Sequence, residues 1–235
     1  MMRTLIWFIH FWLYQIAVLP RYFIFKSKDK KGENIQDQMQ PLVQKWAQSM
    51  VKMSGSSVKV VGEENIPDEG PIVFVANHQS NFDIPIMLGY LKRPKGFIAK
   101  KETENFPIVG GWMRFLKCIF MDRTSPRAAL KAIKEGINVV KEGYALVIFP
   151  EGTRSLDGKM GEFKPGSFKL ATKAEARIIP VTISGSYDIM KKGSMKIKPA
   201  EVTVTVSEPV SSTQYESADS YLLREEVFKI IESKL

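Results

Sequence analysis

Residues 72–83 read IVFVANHQSNFD: five apolar, β-favouring side chains run straight into a cluster of polar ones. Working outward, the same kind of β-rich run recurs as VKVVG at 58–62, GFIA at 96–99, CIFM at 118–121, ALVIF at 145–149 and IIPVTISG at 178–185. Helical patterns fall between them, and that alternation predicts an α/β domain. The clearest helix takes Ser125 as its N-cap and Pro126 as its first residue, carries Ala129, Leu130, Ile133 and Ile137 at helical spacing, and stops at Gly143. A hydroxyl that caps an orphan amide, followed by a proline that needs no amide partner, is a physical start signal. Further on, Lys196 to Val206 reads as a β-hairpin around Pro199, and residues 219–234 as a terminal amphipathic helix with Tyr221, Leu222, Val227, Ile230 and Ile231. There is no internal repeat and no low-complexity linker.

Upstream of the first strand the character changes. Thr4 to Phe25 (TLIWFIHFWLYQIAVLPRYFIF) is almost wholly apolar and is followed by Lys26, Lys28, Lys30 and Lys31. Leu19-Pro20-Arg21-Tyr22 supplies no small-residue cleavage site, so a removable signal peptide is not indicated. A full span needs roughly 20 apolar residues, and His10, Gln15, Pro20 and Arg21 interrupt a run of about that length, so spanning and shallow insertion both stay open. Next, Met39, Leu42, Val43, Trp46, Met50 and Met53 recur at helical spacing. This amphipathic helix either lies in the lipid interface with Trp46 at headgroup level or packs on the globular domain; the lipid-seeking segment before it favours the first. Residues 1–54 therefore read as a membrane-anchoring helical hairpin on one leaflet, and 55–235 as the catalytic domain.

The chain has 235 residues, 44% of them hydrophobic and 25% charged, enough for one sizeable core. Its 34 Lys and Arg against 25 Asp and Glu give a net charge of +9, which suits an anionic partner: nucleic acid, an anionic membrane or a phosphorylated substrate. No nucleic-acid motif is present, and none is expected as a partner. Cys118 is the only cysteine, so an intrachain disulfide is excluded. No C-x2-C, H-E-x-x-H, P-loop or G-x-G-x-x-G occurs, so neither a metal nor a free nucleotide cofactor is expected.

In α/β sheets, chemistry sits where strands hand over to loops. IVFVA leads into Asn77-His78-Gln79-Ser80-Asn81-Phe82-Asp83, CIFM into Asp122-Arg123, and ALVIF into Pro150-Glu151-Gly152-Thr153-Arg154-Ser155. If these strands are parallel neighbours, a histidine, several carboxylates and two guanidiniums converge on one rim. His78 and Asp83 are the candidate acid/base pair. On one regular helix, five residues apart would place them on different faces, so they meet only if the chain turns between them. A structural alternative exists, because Ser80 and Asp83 also fit a capping box.

Four blocks in order give these residues a context. NHQSNFD at 77–83 resembles the H-x4-D block of the glycerolipid acyltransferases, the family of lysophosphatidic acid acyltransferases; FMDR at 120–123 is similar to the second block, FPEGTRS at 149–155 to the third, and IIPVTISG to the proline-centred fourth. The resemblance covers roughly residues 58–190, with Met121 standing where Ile or Val is usual. It implies an α/β fold with a mixed sheet flanked by helices, and transfer of an acyl chain from a thioester, acyl-CoA or acyl carrier protein, to the sn-2 hydroxyl of lysophosphatidic acid at the cytoplasmic face of the cell membrane. His78 would be the general base and Asp83 its orienting partner. Arg123 and Arg154 would hold the acceptor's phosphate, with Lys100 and Lys101 as further candidates. Glu151 would orient an Arg or the glycerol hydroxyl, and Gly152 and Thr153 would let the backbone approach the ligand. No G-x-S-x-G elbow is present, so the nucleophile belongs to the substrate. Glycerol-3-phosphate or another lysophospholipid as acceptor, and a non-catalytic lipid-binding scaffold, are the competing readings.

Overall fold

The structure is a computed structural model that describes residues 1–122, 124–215 and 220–235. Among these, the chain runs α1 (Met2–Ala17), α2 (Leu19–Lys30), α3 (Gln36–Ser54), β1 (Ser57–Val61), β2 (Ile72–Ala76), α4 (Asp83–Tyr90), β3 (Lys95–Lys100), α5 (Val109–Phe115), β4 (Ile119–Met121), α6 (Pro126–Lys141), β5 (Ala145–Ile148), α7 (Lys169–Lys173), β6 (Arg177–Ser184), α8 (Ser186–Ile189), β7 (Glu201–Val206), β8 (Val210–Ser211) and α9 (Ser220–Glu232).

One sheet has the order β1-β7-β6-β2-β5-β3-β4, with β8 paired to β6. Strands β6, β2, β5, β3 and β4 are mutually parallel, whereas β7 runs antiparallel to β6 and β1 is parallel to β7. The expected mixed sheet flanked by helices is what forms. Side chains alternate across it, as the two-residue period of a strand requires. Phe74, Ala76, Val147, Ile179 and Val181 join the core under α3, α4 and α5. Val73, Val75, Leu146, Ile148 and Ile178 join the core under α6, α7 and α9. Burial on both faces explains why β2 and β5 are unbroken apolar runs rather than alternating ones.

The predicted start of α6 is realised, with Ser125 Oγ accepting from the Ala128 amide at 3.3 Å and Pro126 in the first turn. Two expectations change. Residues 196–200 form no strand, so Lys196–Val206 is not a hairpin: β7 begins at Glu201 and pairs with β1 and β6, because Pro199 lacks the amide a ladder needs. At the N-terminus the first arm of the hairpin is two helices, α1 and α2, bent by 48° at a one-residue break before Pro20. No single helix among the described residues is long and apolar enough to cross a membrane, although this bent pair passes by length and composition.

The second arm, α3, lies antiparallel to α1, as Arg3 Nη1 donating to Ser54 O and Trp7 Nε1 donating to Met50 O show. Part of its apolar stripe packs on the domain: Met39, Val43 and Met50 are buried, with Ala47 and Val51 beside them, while Leu42, Trp46 and Met53 are half-buried. Close approach of α3 to α4 is possible because Gly89 leaves room: a Cβ there would come within 3.2 Å of the Ala47 methyl carbon. Trp46 is half-buried and lines a cavity. Much of the exposed apolar surface belongs to α1 and α2, through Leu5, Ile9, Leu13, Ile16, Phe23 and Ile24. Gly55, in the left-handed region at φ 79°, ends α3; a Cβ would collide there with the Arg3 guanidinium.

Candidate active site

Three neighbouring strands, β6, β2 and β5, end together and deliver the site's polar groups. At the end of β2, Asn77 clasps β6 in both directions, its Nδ2 donating to Ile183 O at 2.8 Å and its Oδ1 accepting from the Ile183 amide at 2.7 Å. His78 follows. Its carbonyl accepts from the Ser155 amide at 2.8 Å, tying it to the loop after β5. The chain then turns, and the first residue of α4 brings Asp83 back to it.

His78 Nδ1 lies 2.7 Å from Asp83 Oδ2. That oxygen also accepts from the amides of Gln79 at 2.7 Å and Ser80 at 2.9 Å, while Oδ1 accepts from the hydroxyl of Ser186. Both readings of the sequence are thereby fulfilled in part. Asp83 reaches back to the Ser80 amide as a capping residue does, but Ser80 Oγ donates to Met190 O and makes no cap. Every group around the carboxylate is a donor, so it acts as acceptor at both oxygens and places a proton on His78 Nδ1. The opposite nitrogen, Nε2, has no hydrogen-bond partner among the described residues, and the ring lines the cavity. Phe149 holds the imidazole flat by stacking, with centroids 4.0 Å apart at 15°. Asp83 is fully buried, whereas the His78 side chain is 17% exposed.

Glu151 does something other than orient an arginine. Its Oε1 accepts from the His78 amide at 2.6 Å and its Oε2 from the Gly161 amide at 2.8 Å, so both oxygens brace backbone. Burial pushes its carboxyl up from the ordinary value, and those two amide bonds oppose the rise. Gly152 turns at φ +69°, with the end of the Lys164 side chain close above it. Thr153 Oγ1 accepts from Lys192 Nζ at 2.9 Å. Arg154 and Lys100 line the cavity, while Lys101 is paired on the surface with Glu104. Arg123 lies outside the described residues. The preceding Asp122 directly follows β4, an edge strand separated from β5 by β3, so the three polar strand ends are parallel but not all neighbours.

The cavity has a volume of about 870 Å³. Strand-end loops supply its polar lining: His78, Thr153, Arg154, Lys164 and Lys192. The apolar part comes from Val18 at the α1–α2 break, Leu42 and Trp46 of α3, Trp112 and Met113 of α5 and Ile133 of α6, together with Phe97 and Ile98 of β3 and Ile148 of β5. Cys118 also lines it, but burial pushes its thiol up to about 12, so it offers no thiolate nucleophile. Sequence reasoning missed Ser186, Lys164 and Lys192. Ser186 follows the fourth block directly, and Lys164 and Lys192 sit in basic loops; nothing local marked any of them.

Fold and site together define an α/β protein with a histidine–carboxylate pair, whose Nε2 is hydrogen-bonded to no hydroxyl or thiol among the described residues, opening on an apolar cavity ringed by cations. The chain belongs to the acyltransferase family, whose model matches residues 57–184. It is 40% identical to a 1-acyl-sn-glycerol-3-phosphate acyltransferase of Chlamydomonas reinhardtii over 63% of this chain and 45% of that one. It is 35% identical to a chloroplastic protein of the same name from Arabidopsis thaliana, over 67% of this chain and 44% of that one. The chain thus spans about half the length of these relatives. The crystal structure of the 1-acyl-sn-glycerophosphate acyltransferase PlsC from Thermotoga maritima superposes with a TM-score of 0.85 at 32% identity, covering 99% of this chain and 93% of that one.

Proposed function

We propose that the protein transfers an acyl chain from a thioester to the sn-2 hydroxyl of lysophosphatidic acid, giving phosphatidic acid, with no cofactor beyond the thioester co-substrate. The observation that carries this reading is His78: Nδ1 is committed to Asp83 while the ring lines a cavity with an apolar wall and a cationic rim. Nε2 takes the proton of the acceptor hydroxyl as its oxygen attacks the thioester carbonyl, and Asp83 stabilises the imidazolium that results. Collapse of the tetrahedral intermediate expels the thiolate, which recovers the proton from Nε2. Arg154, with Lys100, Lys164 and Lys192 beside it, supplies the positive charge a phosphate needs, and the apolar lining takes the acyl chain.

The exposed apolar rows of α1 and α2, followed by Lys26, Lys28, Lys30 and Lys31, support attachment to the cytoplasmic leaflet of the cell membrane, where an amphiphilic acceptor resides. An assay of the purified full chain, crossing lysophosphatidic acid and glycerol-3-phosphate with acyl-CoA and acyl carrier protein donors, tests the reaction. Turnover confined to glycerol-3-phosphate would overturn the acceptor assignment, and the donor arms identify the carrier.

A further inference from the structure

Away from α1 and α2, two large apolar side chains stand out of the catalytic domain on adjacent segments. Leu156, just after the FPEGTRS block, is 74% exposed, and Met195 is 61% exposed. Scattered exposed apolar residues need no explanation; the setting of these two does. Tyr187 donates its hydroxyl to Leu156 O at 2.8 Å, and Lys191 Nζ lies 4.8 Å from the centre of the Tyr187 ring, so the two segments are joined.

The Met195 segment is a strap pinned at both ends. Met190 is buried and its carbonyl accepts from Ser80 Oγ at 2.9 Å. Ile197 is buried and its amide donates to Thr4 Oγ1 of α1 at 3.0 Å. Between these pins the Ser194 amide closes a turn on Lys191 O at 3.0 Å around Gly193, at φ 80°. Met195 therefore has no slack to fold back and bury itself.

Cations outnumber acids around the two tips, where Asp157 and Asp188 are the exposed carboxylates. Lys159, Lys191, Lys196 and Lys198 are exposed, and none is in an ion pair among the described residues. The acid next to Leu156, Asp157, is exposed and accepts from the Lys159 amide and from Ser155 Oγ, which hold its carboxyl below the usual range. Apolar tips inside a ring of unpaired lysines match a surface of anionic headgroups over hydrocarbon. The patch is continuous with α1 through Thr4 and with the cavity rim through Lys192 and Thr153.

We propose that Leu156 and Met195 form a second membrane-docking patch, which seats the cavity rim on an anionic bilayer independently of the N-terminal helices. The proposal rests on the membrane-surface reading above, and its test separates the two. In a full-length Cys118→Ser background, an environment-sensitive fluorophore is attached at Leu156→Cys, Met195→Cys or, for the anchor, Leu13→Cys. Each protein is mixed with phosphatidylcholine vesicles containing phosphatidylglycerol and brominated acyl chains. Blue-shifted, bromine-quenched emission at 156 and 195 as well as at 13 is expected, with the signal at 156 and 195 weakening when phosphatidylglycerol is left out. Quenching at 13 alone would overturn the patch and leave the anchor standing. Quenching at 156 and 195 alone would keep the patch and overturn the anchor; no quenching anywhere would overturn both. As a functional readout, Leu156→Asp with Met195→Asp should raise KM for vesicle-borne lysophosphatidic acid severalfold and leave kcat on detergent-dispersed short-chain acceptor unchanged; an unchanged vesicle KM would also count against the patch.

Discussion

At the carboxyl ends of the parallel strands the protein buries Asp83, and at the opposite end, in the first residue of β3, it buries Lys95. The two burials differ in how they are compensated. Asp83 receives hydrogen bonds from His78, two local amides and Ser186. Lys95, 3% exposed, has one hydrogen-bond acceptor, Leu91 O at 2.8 Å, and the face of Phe74 at 5.6 Å. Burial lowers its pKa from 10.5 to about 7, with the charge of Glu63 only partly offsetting that. A fully donated carboxylate is a fixed acceptor around which a histidine can be aimed, whereas a poorly paired ammonium costs stability without aiming anything.

The sharpest way to test the upper end is His78→Ala, expected to lower kcat by roughly 10²-fold to 10⁴-fold with the fold intact. Near-normal turnover in a folded variant would remove His78 from the chemistry. Asp83→Asn should approach that loss and also lower the melting temperature, because the new amide faces only donors.

At the lower end, Lys95→Met should stabilise the protein by on the order of 3 kcal/mol well below pH 7, without changing kcat. The sign follows from the lowered pKa. Between about 7 and 10.5 the unfolded chain holds a proton that the folded one has released, so wild-type stability climbs with pH across that window. The gain in the methionine variant should therefore shrink toward high pH, and melting curves at several pH values will show whether it does. A pH-independent gain would mean that packing, not charge, is responsible.

Smaller again is Arg154→Ala, which should raise KM for lysophosphatidic acid by roughly tenfold, as expected for one charge-assisted contact, and leave monoacylglycerol little affected. Equal losses on both acceptors would rule out phosphate recognition. Ser186→Ala is the mildest, at about three- to tenfold in kcat. Removing that donor loosens the carboxylate that aims the ring, so the loss should fall on kcat with KM and the melting temperature little changed. A purely structural role for Ser186 would lower the melting temperature instead.

What could be read in advance follows the range of the physics involved. Strands β2 and β5 announced themselves because burial on both faces demands an unbroken apolar run. His78 and Asp83 were legible because both lie in the one turn between β2 and α4. Ser186 was not, since it meets Asp83 only through the pairing of β6 with β2, 103 residues along the chain. Lys95 was equally silent, because a lysine in sequence is presumed solvated. The stripe on α3 is legible as amphipathic, and part of it packs on α4; periodicity reports that a face is covered, not what covers it. Glu151 was picked out by its block, while the hydrogen bonds that make it a backbone brace depend on loops around 78 and 161 that no local pattern specifies.

The Thr4–Ile197 bond and the β1–β7 pairing bear on how the chain is made. Synthesis delivers α1 and β1 well before the segments that complete them, Ile197 coming 193 residues after Thr4. Until β7 arrives, β1 is a strand without a neighbour, and α1 lacks the strap that fixes its amino end. Contacts of such sequence separation are slow to form, and they leave apolar surface uncovered in the meantime.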